Sequence, residues 1–317
     1  ANIALVKYWG KRDQQLKLPA ADSLSLALEP LHSTTELEWY EGPDTLWLDG
    51  READGAALGN AKRLLDALRH RAGFALGARI VSHNAFPTAA GLASSSSAFA
   101  ALAVAASAAA GLELGQDALS ALARLGSGSA CRSVSGGWSQ WQAGERADGA
   151  DSFARQLQGP EYWPLRVFIA VLDPATKAVS SSRGMAHCAA TSPYYQAWID
   201  SIPADLEAAL QALQRLDFDG LGAVAERSCL RMHAANLAAQ PALCYLQPAS
   251  WLLIEQVQRW RSQGLGVFFT IDAGPNVKLF CQERDEAALR SALEGISAVQ
   301  ELISCSPAAA ARVLEQS

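Results

Sequence analysis

No apolar run in these 317 residues is long enough to cross a bilayer, and no signal peptide is visible at the start, so the chain reads as cytoplasmic. Basic residues never run longer than Lys11-Arg12, and 32 acidic residues outnumber 26 basic ones for a net charge of −6. That balance argues against a nucleic-acid surface, and any anionic ligand must be drawn by a few local cations. The six cysteines, at 131, 188, 229, 244, 281 and 305, include no Cys-x-x-Cys pair and no Cys/His cluster of zinc spacing, which leaves reduced, mostly buried thiols. Histidines 32, 70, 83, 187 and 233 show no paired metal spacing and read as structural or exposed. Also missing are Gly-x-x-x-x-Gly-Lys-Ser/Thr, Gly-x-Gly-x-x-Gly after the first strand, and Gly-x-Ser-x-Gly. Walker-type nucleotide binding, Rossmann cofactors and the α/β-hydrolase triad are therefore not indicated. There is no internal repeat, and the alanine-rich stretch before Gly111 is the one biased segment.

What is present is enzyme-like. With 50% hydrophobic and 18% charged residues the chain can bury a large core, and its length suggests two lobes. The boundary is placed near Pro164, giving lobes 1–164 and 165–317. Alternation over Ser23–Leu28 predicts a half-buried strand, with further strands at Thr34–Trp39 and Thr45–Leu48 around the turn Glu41–Asp44. Leu58–Arg71 has the pattern of an amphipathic helix, and a short strand at Ala78–Ser82 follows. Helices are expected at Gln116–Leu125, Ser192–Leu216, Leu221–Ala238 and Trp251–Gln263, with interruptions at Pro203, Pro241 and Pro248. Strands are expected at Ser133–Trp141, through a Gly136-Gly137 bulge, and at Leu165–Leu172, Gly266–Ile271 and Val277–Phe280.

Four stretches carry chemistry. Phe86-Pro-Thr-Ala-Ala-Gly-Leu-Ala-Ser94-Ser-Ser-Ser97 leads into a small-residue helix, Ser97–Ala110. A helix start leaves backbone N–H groups free and carries positive potential, and serines add donors without bulk, which makes an anion site. The same pattern also suits a capped helix packed closely behind a loop. Lys7-Tyr-Trp-Gly10-Lys11 places two cations beside a sharp turn, fit to hold phosphate or simply to line an exposed loop. Gly126-Ser-Gly-Ser-Ala-Cys-Arg-Ser133 reads as a flexible hydroxyl-rich loop with a cation, or as a plain helix stop. Asp272 sits at the tip of a strand before Ala-Gly-Pro-Asn276, where a base and a turn-former are both possible.

These blocks, with Asn2-Ile-Ala at the start, resemble the mevalonate diphosphate decarboxylase family of the GHMP kinase superfamily, with weaker echoes at Asp148–Ser152, Ser181–Met185 and Met232–Ala234. The resemblance runs along nearly the whole chain. It implies an α+β fold with an N-terminal lobe like ribosomal protein S5 domain 2, a ferredoxin-like C-terminal lobe and a cleft between them. It further implies an ATP- and Mg²⁺-dependent decarboxylation of (R)-mevalonate 5-diphosphate to isopentenyl diphosphate by a homodimer. By the same resemblance Asp272 faces the C3 hydroxyl, Arg132 grips the C1 carboxylate and Lys7 stands near the developing charge. Tyr8, Lys11, Ser127, Ser129 and Arg183 meet the substrate, largely at its 5-diphosphate. Gly91, Ser94 and Ser95 cradle the ATP phosphates and help to hold the metal, and Ser82 lies near the nucleoside. Apart from the resemblance, the abrupt start at Ala1-Asn2-Ile3-Ala4 suggests a strand ahead of it.

One departure stands out. The family commonly reads Leu-Pro-Thr-Asn-Ser-Ser-Leu-Ser where this chain has Leu18-Pro-Ala-Ala-Asp-Ser-Leu-Ser25, and a carboxylate at Asp22 would repel a diphosphate if it faced one but do nothing if turned away. Alternatives to the decarboxylase are accordingly a mevalonate 5-phosphate decarboxylase, a kinase such as a mevalonate 3-kinase, and a non-catalytic binding protein.

Overall fold

The computed structural model describes residues 1–86, 94–173 and 179–314. Its first half runs β1 (Asn2–Val6), a short hairpin of β2 (Lys11–Asp13) and β3 (Leu18–Pro19), then β4 (Ser23–Glu29), β5 (Ser33–Tyr40), β6 (Thr45–Leu48) and β7 (Arg51–Glu52). After these come α1 (Gly55–Ala72), β8 (Gly77–Asn84), α2 (Ser94–Ala109), α3 (Gln116–Gly126), the one-turn α4 (Cys131–Val134), β9 (Trp138–Trp141) and β10 (Ala154–Gln158). In the second half β11 (Leu165–Val171) precedes α5 (Ser181–Thr191), α6 (Tyr195–Arg215), α7 (Phe218–Leu237) and α8 (Pro248–Ser262). The half closes with β12 (Val267–Ile271), β13 (Val277–Gln282), α9 (Glu286–Glu294) and β14 (Glu301–Pro307).

One antiparallel sheet crosses both halves in the order β10-β9-β4-β14-β11-β13-β12, with β1 added on β4. The bond between the halves is short: Ser306 lies opposite Glu29 and Pro307 opposite Leu28. Side-chain alternation decides what each face covers. On β11, Val167, Ile169 and Val171 join a core shared with β1, β4, α6 and α7, while Phe168 and Ala170 join a second core under α8 and α9. That double burial explains the unbroken apolar run that the sequence shows there. A third core lies between α1, α2, α3 and the smaller sheet β5-β8-β6-β7.

Four expectations need correction. β4 is buried on both faces, because Ser23 and Ser25 meet polar partners inside the protein and not water. Helix α6 runs through Pro203 unbroken: the proline is on the exposed side while Trp198, Ile202, Leu206 and Leu213 anchor both flanks in the core. The stretch 126–133 is no flexible loop but the end of α3, a 3₁₀ turn over Gly128–Ala130 and the start of α4, pinned by buried Ala130 and Cys131. Consequently Ser133 is helical, and the strand that follows begins only at Trp138. The cysteines are free, five buried and Cys244 exposed.

Candidate active site

Lys7 leaves the end of β1 and is buried, against the exposed-loop reading of its sequence. Its backbone N–H donates to Ser228 Oγ on α7 at 3.0 Å, and its Nζ donates to Asp272 Oδ1 at 2.5 Å. Asp272 follows β12, and the returning strand β13 brings Lys278 Nζ within 3.5 Å of the other carboxylate oxygen. Both lysine side chains are 1% exposed and the aspartate 28%, so the carboxylate is the member of the trio open to a ligand. Burial alone would raise the Asp272 pKa, but the charges of Lys7, Lys278 and Arg132 outweigh it and hold the carboxyl well below the usual carboxylate range. Burial lowers Lys278, which Asp272 partly offsets. Behind them His233, pushed down to about 4 by burial and then by Lys7, is a neutral ring whose Nε2 lies 3.3 Å from the Ile271 carbonyl.

Arg132 approaches from α4. Its Nη1 donates to Ser23 Oγ at 2.6 Å and its Nε to Asn2 Oδ1 at 3.2 Å, and the guanidinium lies 5.8 Å from the ring centroids of both Tyr8 and Trp141. Burial lowers its pKa, yet no described carboxylate lies within ion-pair range of it. A guanidinium so placed is a fork oriented by two neutral partners, with the Asp272 charge nearby but no direct ion pair among the described residues.

Hydroxyls fill the adjoining surface. Ser96, in the first turn of α2, hydrogen-bonds Ser129, and Ser95 lies 3.4 Å from Ser127. Asn2 Nδ2 ties this turn down through the Ser129 carbonyl at 3.1 Å and Ser133 Oγ at 2.6 Å. The Tyr8 hydroxyl is buried with no partner among the described residues, and burial raises its pKa, so it remains a proton donor. Gly128 makes room for it, since a Cβ there would lie 2.5 Å from Tyr8 Oη. Lys11 Nζ donates to Ser182 Oγ at 2.7 Å, and Arg183 stands exposed beside that serine in the first turn of α5.

Much of the sequence-derived set is thus gathered: Lys7, Asp272, Arg132, Tyr8, Ser127, Ser129 and Ser95 connect through direct contacts, charge interaction or common neighbours, whereas Lys11 is tied to Ser182 of α5. Ser94 opens α2, whereas Gly91 and the rest of its loop fall outside the described residues. Ser82 is buried on β8 with its hydroxyl 2.9 Å from Thr35 Oγ1, within the smaller sheet. Asp22 accepts from the Ala143 N–H at 2.8 Å and from Gln140 Nε2 at 2.9 Å, which commits both its oxygens to protein donors. Lys278, Ser228, Ser23 and Ser96 escaped the sequence reading. For Lys278 the signal was available: a lysine inside the apolar run Val277–Phe280 must find a buried counter-charge. No group of three or more His, Cys, Asp or Glu that could hold a metal occurs among the described residues.

Known proteins extend this picture. Residues 1–154 match the diphosphomevalonate decarboxylase-like N-terminal domain, and residues 167–312 match the mevalonate 5-diphosphate decarboxylase C-terminal domain. The human diphosphomevalonate decarboxylase is 37% identical over 300 residues, covering 88% of this chain and 74% of the human protein. The crystal structure of mevalonate diphosphate decarboxylase from Staphylococcus aureus superposes with a TM-score of 0.91 at 38% identity, over 98% of this chain and 94% of that one. A structure described as MDDEF in complex with MVAPP, AMPPCP and magnesium gives a TM-score of 0.90 at 37% identity, over 98% of this chain and 95% of that one.

Proposed function

Because this chain belongs to the mevalonate diphosphate decarboxylase family, we propose that it catalyses ATP-dependent decarboxylation of (R)-mevalonate 5-diphosphate to isopentenyl diphosphate, releasing ADP, phosphate and CO₂. The observation that carries this reading is the conjunction of an aspartate held ionised by two lysines with a buried guanidinium that forms no ion pair among the described residues. A kinase that stops at phosphoryl transfer has no need of a cation reserved for a carboxylate.

Asp272 accepts a hydrogen bond from the C3 hydroxyl and aligns it for phosphorylation. Its depressed pKa makes it a weak proton acceptor, so alignment is the larger part of its work. Arg132 orients the C1 carboxylate, its own plane fixed by Ser23 and Asn2. As the 3-phosphate departs, the C1–C2 bond breaks and its electron pair forms the C2–C3 double bond. Lys7, fixed by Ser228 and Asp272, offsets charge that develops beside it. Tyr8, Lys11, Ser127, Ser129 and Arg183 receive the 5-diphosphate. Since Asp22 spends both oxygens on protein donors, its presence supports no loss of the second phosphate.

Gly91, Ser94 and Ser95 would hold the ATP phosphates, and Ser82 would stand toward the nucleoside. Ser94 and Ser95 at the start of α2 would also help to hold Mg²⁺, which would neutralise phosphate charge there. The gap between the two matched domains, 155–166, supports a lobe boundary near 164. A cytoplasmic homodimer completes the reading; no described helix is long and apolar enough to cross a membrane.

The test is CO₂ and ADP release measured side by side with mevalonate, its 5-phosphate and its 5-diphosphate. Equal yields of both products with the diphosphate are expected. ADP without CO₂ would identify a kinase, and preference for the monophosphate would overturn the diphosphate assignment.

A further inference from the structure

Lys17 is a buried cation to which the described fold supplies no negative charge. It lies in the β2–β3 hairpin, 7% exposed, with a backbone φ of +54° that a lysine adopts at a cost. Its Nζ donates to Asn60 Oδ1 on α1 at 2.9 Å and to the Gly126 carbonyl at the end of α3. Arg63, further along α1, donates to the same Asn60 oxygen at 3.1 Å. Phe99 of α2 flanks the ammonium, its ring centroid 6.0 Å away. None of the described aspartates or glutamates forms an ion pair with Lys11, Lys17 or Arg63. Lys7 and Lys278, more deeply buried still, share Asp272.

The position of this cluster matters as much as its charge. Gly126 leads directly into Ser127, whose hydroxyl faces Ser95 at the start of α2, and Lys11 holds Ser182. The three cations therefore border the hydroxyl-lined surface described above. A buried ammonium repelled by two neighbours is unfavourable in the free protein, and an arriving phosphate offsets that cost where a permanent carboxylate would compete with it.

We propose that Lys17, together with Arg63 and Lys11, forms a phosphate-binding site of this chain, engaged by the phosphoanion of either the nucleotide or the phosphorylated substrate. The identity of those two ligands rests on the decarboxylase reading; the site itself rests on the geometry. The groups facing Lys17 are Arg63 from α1 and Lys11 from β2, both cationic, with uncharged Phe99 from α2 and a carbonyl from α3. Burial, then Arg63 and Lys11, push Lys17 down to about 7, so an anion that docks there draws a proton onto it.

Calorimetric titration of AMPPCP and of mevalonate 5-diphosphate, each alone, into the wild type and into Lys17→Met, Lys17→Arg and Arg63→Met tests this. Lys17→Met should weaken one of the two ligands about ten-fold or more, Arg63→Met should weaken the same ligand, and Lys17→Arg should restore most of the loss. Loss confined to AMPPCP assigns the site to the nucleotide, and loss confined to mevalonate 5-diphosphate assigns it to the substrate. That ligand should also bind with proton uptake just above neutral pH, seen as a heat that varies with buffer ionisation enthalpy. Unchanged affinity for both ligands in folded Lys17→Met would overturn the proposal and leave Lys17 an anchor of the hairpin. Should that variant not fold, unchanged affinities in Arg63→Met together with no proton uptake by the wild type overturn it equally. Wild-type CO₂ release is scored separately, so intact binding without turnover would count against the decarboxylase reading and not against this site.

Discussion

Asp272 shows how two neighbours can define a residue's chemistry. Replacing it with alanine should cut turnover by about three orders of magnitude or more while AMPPCP still binds, and near-normal CO₂ release would remove its assigned role. Lys278→Met leaves Lys7 in place but withdraws one of the two cations that keep the carboxylate charged. The Asp272 pKa then rises, and the acid limb of the kcat/KM profile should move to higher pH. Lys7→Met should move it further, because Lys7 lies 2.5 Å from the carboxylate against 3.5 Å for Lys278. A merely structural lysine would leave that limb where it is. Arg132→Lys keeps the charge but loses the fork between Ser23 and Asn2, so its kcat/KM should fall severely; an unaltered rate would place the substrate carboxylate elsewhere.

At the scale of elements, the turn between α3 and α4 shapes the proposed substrate surface. Its glycine at 128 is there for Tyr8, whose ring also meets Trp141 at 4.6 Å and has little freedom to retreat. Gly128→Ala should therefore raise KM for mevalonate 5-diphosphate about ten-fold or more and leave KM for ATP nearly unchanged, and Tyr8→Phe should act in the same direction. Equal effects on both substrates would point to general distortion. The same turn marks where sequence reading stops. Glycines and serines at 126–133 carry the signature of a loop, and only the burial of Ala130 and Cys131 makes the backbone helical. Likewise α5, α9 and β14 went unread: α9 sets Leu289 and Leu293 on one face but runs for only nine residues, and such short elements take most of their stability from their neighbours.

For the molecule as a whole, the two halves depend on each other. β1 lies in the first half, yet its apolar side chains share a core with α6, α7 and β12, and Lys7 finds its counter-charge across that boundary. A fragment of residues 1–164 should accordingly show no cooperative thermal transition, whereas the intact chain unfolds cooperatively; a sharp transition in the fragment would make the first lobe autonomous. Acid stability follows from His233. Its folded pKa of about 4 lies below the ordinary 6.5, so between those values the unfolded chain binds a proton that the folded chain refuses. Stability should fall by up to about 3 kcal/mol as pH drops from about 6.5 to about 4, with no contribution from this ring above that window. Denaturant unfolding of the wild type and His233→Gln at stepped pH values checks this, the variant being flatter.

Taken alone, the sequence determined the family, the α+β class and most strands and helices, and it named a candidate set of site residues, because those rest on local spacing, residue type and a handful of motifs in order. It did not determine which charges meet. Lys278 beside Asp272, Asn2 and Ser23 on Arg132, Asp22 turned onto Ala143, and Lys17 without a counter-ion are contacts between residues far apart in the chain. Such pairs leave no local periodicity, and only the packing of sheet, helices and hairpin brings them within range, so tertiary structure alone decided the electrostatics on which the chemistry depends.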